Sequence, residues 1–431
     1  MVKAILILAV DDRCTTPVFG VPALRRLVIL GRQACPDTAM HIVSRAGFIS
    51  ATVSDLVPAG MLHVVTDISE LIPIIEGLDV RKEDRVLVMD SAHVIDRPSL
   101  AVMLCAESSA DIVFCASDDE ENAECSMGVY TAKAGKLVQI LDKYWIHSGI
   151  YSGEPVTGER VRVTPGLPFR IGKNGVGVDA AEKRLLNALR LATNEHEYGY
   201  LARLVGRPLS RCISAKLAGL QVSPNGITLF NIITGVIGAL FLGIGEYKWQ
   251  LAGAFLFLCS VVADGVDGEV ARLNLRETSF GHYLDIIGDN VVHAAVFIGM
   301  AVGLYRATYD SIYIHFLVWL LGGFALCLFA VHKVTGHRPD KPGTSRVARP
   351  IALFVNRDFA YLVFVLAVIN HLDWFVLAGA AGVYVFALYL FTAARMGKSI
   401  RRRPLQECVN RYPQAPARKK SDAGSREILR N

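Results

Sequence analysis

The sequence has no Cys-x-x-Cys pair and no histidine cluster beside its nine cysteines, which stand singly from Cys14 to Cys408. Zinc ribbons and disulfide frameworks are thereby disfavoured, and free thiols in a reducing compartment are expected. No basic face is interleaved with aromatic residues, so nothing points to nucleic acid. The apolar opening Val2–Val10 lacks a small-residue cleavage site and runs straight into Asp11-Asp12-Arg13. It reads as a buried first strand rather than a secretory leader.

Apolar residues, by contrast, are plentiful. Of the 431 residues 52% are hydrophobic, and mean hydropathy is +0.37, above the usual range for a soluble globular chain. The length calls for two or more folding units. Up to about Leu220 the chain mixes charge and apolar residues, from Ile227 to Leu390 long apolar runs dominate, and beyond Met396 it turns basic. The expected organisation is a soluble α/β domain at 1–180, an interfacial helical region at 181–222, an all-α six-helix transmembrane domain at 223–395, and a tail at 396–431. The net charge of +5 is concentrated in that tail, where Arg401, Arg402, Arg403, Arg411, Arg418, Lys419 and Lys420 are broken up by prolines. A disordered, solvated tail is expected, with each basic residue adding about 1 kcal/mol of attraction to anionic headgroups.

The first domain alternates short strands (Ala4–Val10, His41–Ser44, His63–Thr66, Arg85–Met89, Asp111–Cys115) with helices such as Val21–Cys35 and Ile68–Leu78. This order implies a mainly parallel, Rossmann-like sheet covered by helices. Further on, Arg207, Arg211 and Lys216 lie near Leu209, Ile213 and Leu217, the pattern of a basic amphipathic helix on a membrane surface.

Six apolar segments follow: Thr228–Gly245, Leu251–Val270, Leu284–Leu304, Ile312–Val331, Ile351–Ile369 and Phe375–Ala394. Each is about long enough to cross a hydrocarbon core of ~30 Å. Lys248 and Arg306 are the basic residues of one set of loops, whereas Arg272, Arg276, Lys333, Arg338, Lys341, Arg346 and Arg349 occupy the other. The positive-inside rule then puts both termini in the cytoplasm.

One stretch carries the chemistry. The second span ends in Asp264-Gly265-Val266-Asp267-Gly268-Glu269-Val270-Ala271-Arg272, and the third opens Gly281-His282-Tyr283-Leu284-Asp285-Ile286-Ile287-Gly288-Asp289. Carboxylates at membrane depth are costly and mark function. Asp264 and Asp267, at i and i+3, share a helix face, as do Asp285 and Asp289 at i and i+4. Two antiparallel helices bring these four together, and divalent cations relieve their repulsion. All-oxygen ligands favour a pair of Mg²⁺ or Mn²⁺ ions. Gly265, Gly268 and Gly281 remove side chains where a nucleotide approaches the backbone. Arg272 offers a planar fork to a phosphate.

These residues match the D-x-x-D-G-x-x-A-R, eight-residue gap, G-x-x-x-D-x-x-x-D signature at Asp264, Asp267, Gly268, Ala271, Arg272, Gly281, Asp285 and Asp289. On them, the second half of the chain resembles the CDP-alcohol phosphatidyltransferase family. Ser223-Pro224-Asn225-Gly226-Ile227-Thr228 is similar to that family's lead into its first span. The resemblance implies an enzyme that moves a phosphate-linked group from a CDP-alcohol onto a hydroxyl and releases CMP. Asp264, Asp267 and Asp285 would hold one ion, and Asp264, Asp285 and Asp289 the other. Asp289 would be the general base. Asn225, Thr228, Gly265, Gly268, Ala271, Arg272 and Gly281 would surround the nucleotide, and the enzyme would be a homodimer in the membrane. Lys333, Arg349 and Arg357 are candidates to hold an anionic acceptor.

The soluble half resembles the sugar-phosphate nucleotidyltransferases at Gly20-Val21-Pro22-Ala23-Leu24, Val86-Leu87-Val88-Met89-Asp90 and Ser126-Met127-Gly128-Val129-Tyr130. That family's glycine-rich phosphate loop is missing. Val10-Asp11-Asp12-Arg13-Cys14-Thr15-Thr16 has no glycine, and no lysine follows Gly20 until Lys82. Backbone amides cannot close on phosphates there. The domain is expected to be an inactive relic with a structural or partner-binding role, and Asp90 a strand-end turn residue. The fusion resembles enzymes that join CDP-inositol to inositol phosphate, which favours an inositol-type acceptor. CDP-diacylglycerol and CDP-inositol stay open as donors, and glycerol phosphate as acceptor. A hydrolase using water, or a transporter built on intramembrane carboxylates, are the readings from other classes.

Overall fold

The computed structural model describes residues 2–9, 12–44, 53–65, 70–105, 108, 110–116, 128–146, 159–165, 167–172, 175–192, 201–335 and 358–396. The soluble half is built on a seven-stranded sheet ordered β10-β8-β9-β6-β1-β4-β5. Its strands are β1 (Val2–Ala9), β4 (Ala39–Ser44), β5 (Leu62–Val64), β6 (Arg85–Asp90), β8 (Ile112–Ala116), β9 (Val129–Lys133) and β10 (Glu159–Arg162). β1 runs parallel to β4 and β6, whereas β9 is antiparallel to both its neighbours, β6 and β8. Alternation along the strands explains the layers. Ile5, Ile7, Leu87 and Met89 pack on α1 (Ala23–Ala34) and α3 (Arg97–Cys105). Ala4, Leu6, Leu8, Val86 and Val88 face α2 (Leu71–Glu76) and α4 (Ala134–Ile146).

Two short ribbons complete this half. β2 (Pro17–Val18) and β3 (Val21–Pro22) form a hairpin whose turn residues Phe19 and Gly20 both have positive φ. β7 (His93–Val94) pairs with β11 (Phe169–Arg170). Asp90, at the end of β6, behaves as a turn residue. Its carboxylate accepts the Ala92 amide (3.1 Å) and lies 2.9 Å from Nδ1 of His93, with both side chains buried.

Helix α5 (Val178–Ala192) lies between the two halves. Its buried Ala181, Leu185 and Ala188 pack with Val18, Phe19 and Ala23 of the soluble half and with Val266, Val270 and Leu273 of the apolar half. A π-helical turn, Ala202–Gly206, leads into α6 (Arg207–Gly219). Asp358 receives the Leu201 and Ala202 amides at 3.3 and 2.8 Å, satisfying donors that the start of this helix leaves open.

The apolar half comprises α7 (Pro224–Leu242), α8 (Tyr247–Leu273), α9 (Ser279–Thr308), α10 (Ile312–Thr335), α11 (Phe359–Val368) and α12 (Leu372–Met396). Among the described residues, five of these are long and apolar enough to cross a membrane; α11 is shorter, with ten residues. The expected fifth span began at Ile351, and residues 351–357 lie outside the described ones, as does the basic tail. α7 packs on α8 and α9 by close backbone approach. A Cβ on Gly253 would lie 2.5 Å from the Gly238 carbonyl, and one on Gly303 only 2.0 Å from that of Leu242. Small residues allow this intimacy where no hydrophobic drive operates between helices.

Candidate active site

The site begins with two helix starts. Ser223 caps α7 ahead of Pro224, and Thr278 caps α9 by accepting the Gly281 amide at 3.0 Å. Each cap offsets amides that the first turn leaves unpaired. These starts lie beside the C-terminal end of α8, so three helix ends meet around one cleft of about 170 Å³. Asn225 and Thr228 of α7, Asp267, Gly268, Ala271 and Arg272 of α8, and Gly281 and Asp285 of α9 line it. Six of the eight signature positions thus line one cavity, and the other two, Asp264 and Asp289, adjoin it through Asp285.

Asp264, Asp285 and Asp289 each offer a carboxylate oxygen within 4.8 Å of the others'. Asp264 is buried and the other two half-buried. An anionic, all-oxygen set at this spacing suits a hard divalent cation. Asp267 is drawn elsewhere. Its Oδ2 accepts a short hydrogen bond from the Thr228 hydroxyl and its Oδ1 the Gly268 amide at 2.6 Å. The four carboxylates therefore divide into a convergent trio and one held on the cleft wall.

Two glycines act differently. A Cβ on Gly281 would lie 2.8 Å from Oδ1 of Asn225, so this glycine lets α9 close on α7 at the cleft. Gly265 instead faces α6, where its Cβ would meet Arg207 Nη1 at 3.3 Å and Ser210 at 3.6 Å. It does not line the cleft. At 100° per residue Gly265 falls on a different side of α8 from Asp264 and Asp267.

Sequence reasoning passed over several residues here. Arg276, Glu277, Thr278 and His282 complete the cleft rim. Behind α8, Glu269 is buried against Arg207 Nη1 (3.0 Å), Ser210 Oγ (3.2 Å) and Ser214 Oγ (2.7 Å). Its signal in the sequence is the one that marks the aspartates, a carboxylate on an apolar helix. Of the other histidines, His293 packs edge-on to Phe257 and Phe359 and belongs to the helix core. Lys333 falls on α10 where side chains are not described, and Arg349 and Arg357 lie outside the described residues.

Residues 221–393 match the CDP-alcohol phosphatidyltransferase family.

The transferase domain so defined spans all three helix ends that form the cleft. The chain is 29% identical over 204 residues to the bifunctional IPC transferase and DIPP synthase of Thermococcus kodakarensis, covering 47% of this chain and 44% of that one. It is 29% identical over 103 residues to the archaetidylinositol phosphate synthase of Pyrococcus horikoshii, 23% of this chain and 50% of the relative. The phosphatidylinositol phosphate synthase of Mycolicibacterium smegmatis is 38% identical over 93 residues, 21% of this chain and 40% of that protein. The matched stretches span no more than half the length of these relatives. Residues 221–393 are thus a CDP-alcohol phosphatidyltransferase domain.

Proposed function

We propose that this chain transfers a phosphate-linked group from a CDP-alcohol to the hydroxyl of an inositol-phosphate-type acceptor and releases CMP. The observation that carries this is the convergence of Asp264, Asp285 and Asp289 beside a cleft lined by Arg272. The acceptor class follows two relatives, the archaetidylinositol phosphate synthase and the phosphatidylinositol phosphate synthase.

Asp264, Asp285 and Asp289 fit a divalent cation, Mg²⁺ or Mn²⁺, and a second ion would have to draw Asp267 from its bonds to Thr228 and Gly268. Bound there, such ions would neutralise the diphosphate and the departing phosphate. The chain's own residues do the rest. Gly268, Ala271 and Gly281 leave room for the nucleotide, with Asn225 and Thr228 along its side. Arg272 faces the phosphates with two parallel donors. Asp289 takes the acceptor's hydroxyl proton as that oxygen bonds to the distal phosphorus. The bond from this phosphorus to the bridging oxygen breaks, and the oxygen leaves on CMP. The cleft opens on the side of the soluble half, which we place in the cytoplasm with both termini. The soluble half makes no CDP-alcohol in this reading, since the segment Val10–Thr16 has no glycine to let backbone amides close on a phosphate.

The test is CMP release by purified protein with Mg²⁺, offered CDP-diacylglycerol or CDP-inositol. Each donor is paired with inositol phosphate, glycerol phosphate or no acceptor, and Asp289→Asn runs in parallel. Release that needs metal, Asp289 and inositol phosphate is expected, with Asp289→Asn slower by about 10²-fold or more. Equal release without acceptor would make the protein a hydrolase. No release from either donor would overturn the proposal.

A further inference from the structure

The two halves of the aspartate signature are joined by five residues, Asn274–Thr278, between α8 and α9. A loop this short between two apolar helices normally lies in solvent. Here its first two residues, Asn274 and Leu275, pack into the protein, while Arg276, Glu277 and Thr278 stay exposed at the cleft rim. Leu275 has a left-handed backbone (φ 55°) and packs against the core cluster that holds Leu24, Leu27 and Met89. That conformation closes α8, with the Arg276 amide returning to the Ala271 carbonyl at 2.8 Å, and the packed leucine side chain adds a second restraint.

Other contacts converge on the same loop. Arg26 of α1 is only 4% exposed and donates from Nη1 to the carbonyl of Leu273, the last residue of α8, at 2.6 Å. The carbonyls at a helix C-terminus carry partial negative charge and lack partners within the helix, so a buried guanidinium there is a charged cap. Gln221 spans the junction as well. Its Nε2 donates to the carbonyl of Phe19 in the β2–β3 hairpin, while its Oε1 receives Arg276 Nη2 at 2.8 Å. The Phe19 amide is held by Glu182 of α5 at 2.7 Å. At the rim, Arg97 Nη1 meets Glu277 at 3.2 Å. Arg272, Arg276, Glu277 and Thr278, which line the cleft, all sit in or next to this anchored loop.

We infer that the soluble half is a positioning element for the donor cleft, with Arg26 and Leu275 fixing the loop that sets one half of the aspartate signature against the other. The inference rests on the transferase reading of that cleft. It gives a function to a domain that lacks a glycine-rich phosphate loop: the hairpin and α1 grip the end of α8 instead of a nucleotide. Arg26 and Leu275 are positioning residues, acting through Arg272 and Thr278 rather than on a substrate.

The test uses the full-length protein in detergent, with CMP and Mg²⁺ as the probe. Equilibrium CMP binding and hydrogen–deuterium exchange across residues 270–282 are measured for wild type, Arg26→Met, Arg26→Lys, Leu275→Ala and Arg97→Ala. Arg25→Ala, on the same helix but paired with exposed Asp55, is the control. Arg26→Met and Leu275→Ala are expected to weaken CMP binding by on the order of tenfold and to speed exchange in the loop. Arg26→Lys recovers part of the affinity, and Arg97→Ala has a smaller effect of the same sign. Arg25→Ala matches wild type in both measurements. Wild-type affinity and exchange in folded Arg26→Met and Leu275→Ala would overturn the inference. Should those two fail to fold, unchanged affinity and exchange in Arg97→Ala would overturn it. Wild-type protein that binds no CMP would sink the transferase reading, and exchange in the loop would still decide whether the soluble half holds it.

Discussion

Arg207 places Nη1 3.0 Å from Oε1 of Glu269, on the back of the helix that carries Asp264 and Asp267. Glu269 is five and two residues beyond those aspartates, which at 100° per residue turns it to the opposite face. The pair, joined by Ser210 and Ser214, ties α6 to α8 by charge where both helices are buried. Breaking such a pair leaves the partner charge in a poor solvent, which costs more than the pair contributes. Glu269→Ala is expected to destabilise the folded protein by about 3–5 kcal/mol, read as a drop in thermal midpoint in detergent. Glu269→Gln keeps the hydroxyl contacts and is expected to lose less. Equal midpoints for wild type and Glu269→Ala would show that the pair does not hold the helix.

Thr228 supplies the other restraint on the signature helix, by donating its hydroxyl to Asp267. Thr228→Val keeps the shape and deletes that donor, leaving a buried carboxylate oxygen short of a partner at a cost of about 1–3 kcal/mol. The expected result is CMP release slowed by roughly tenfold or more, with activity restored in Thr228→Ser. A Thr228→Val enzyme as fast as wild type would mean that Asp267 needs no such restraint.

His41 and His63 sit on neighbouring strands with Nδ1 and Nε2 3.1 Å apart, one ring donating to the other. Burial holds both below the ordinary histidine value of 6.5, with each charge disfavouring the other at His41. The sign follows from linkage. Between the folded and unfolded values the unfolded chain binds more protons, so stability falls as pH drops through 6.5 and levels off once the folded pair also protonates. Denaturation of the protein at pH 7.5 and 5.5 should show this loss, and His41→Phe with His63→Phe should flatten it. A wild-type profile with no slope in that window would contradict the assignment.

The contact of α7 with α9 depends on a missing side chain. A Cβ at Gly303 would stand 2.0 Å from the Leu242 carbonyl, a fixed backbone atom. Gly303→Ala is expected to force the helices apart and lower the thermal midpoint by several degrees, an effect in the 1–3 kcal/mol range for overpacking. Gly382→Ala, where a Cβ meets nothing within 4 Å, should leave the midpoint unchanged. Matching midpoints for the two variants would argue against close packing there.

Much of this protein is written in local pattern. Alternation along Val2–Ala9 and Arg85–Asp90 fixes the two faces of the sheet, and apolar length fixes the long helices, because strand and helix periods act within a few residues. The i, i+3 and i, i+4 spacings likewise put Asp264 with Asp267, and Asp285 with Asp289, before any folding is known. What the sequence leaves open is which of these meet across helices. Only the packed helices bring Asp264 to Asp285 and Asp289, turn Asp267 toward Thr228, and set Gly265 against α6 rather than in the cleft. The same holds for Arg26 and Leu273, 247 residues apart and 2.6 Å in contact. No period or spacing encodes such a pair. It exists because the two halves exclude water from a shared surface, which leaves each buried charge only the partners that geometry supplies.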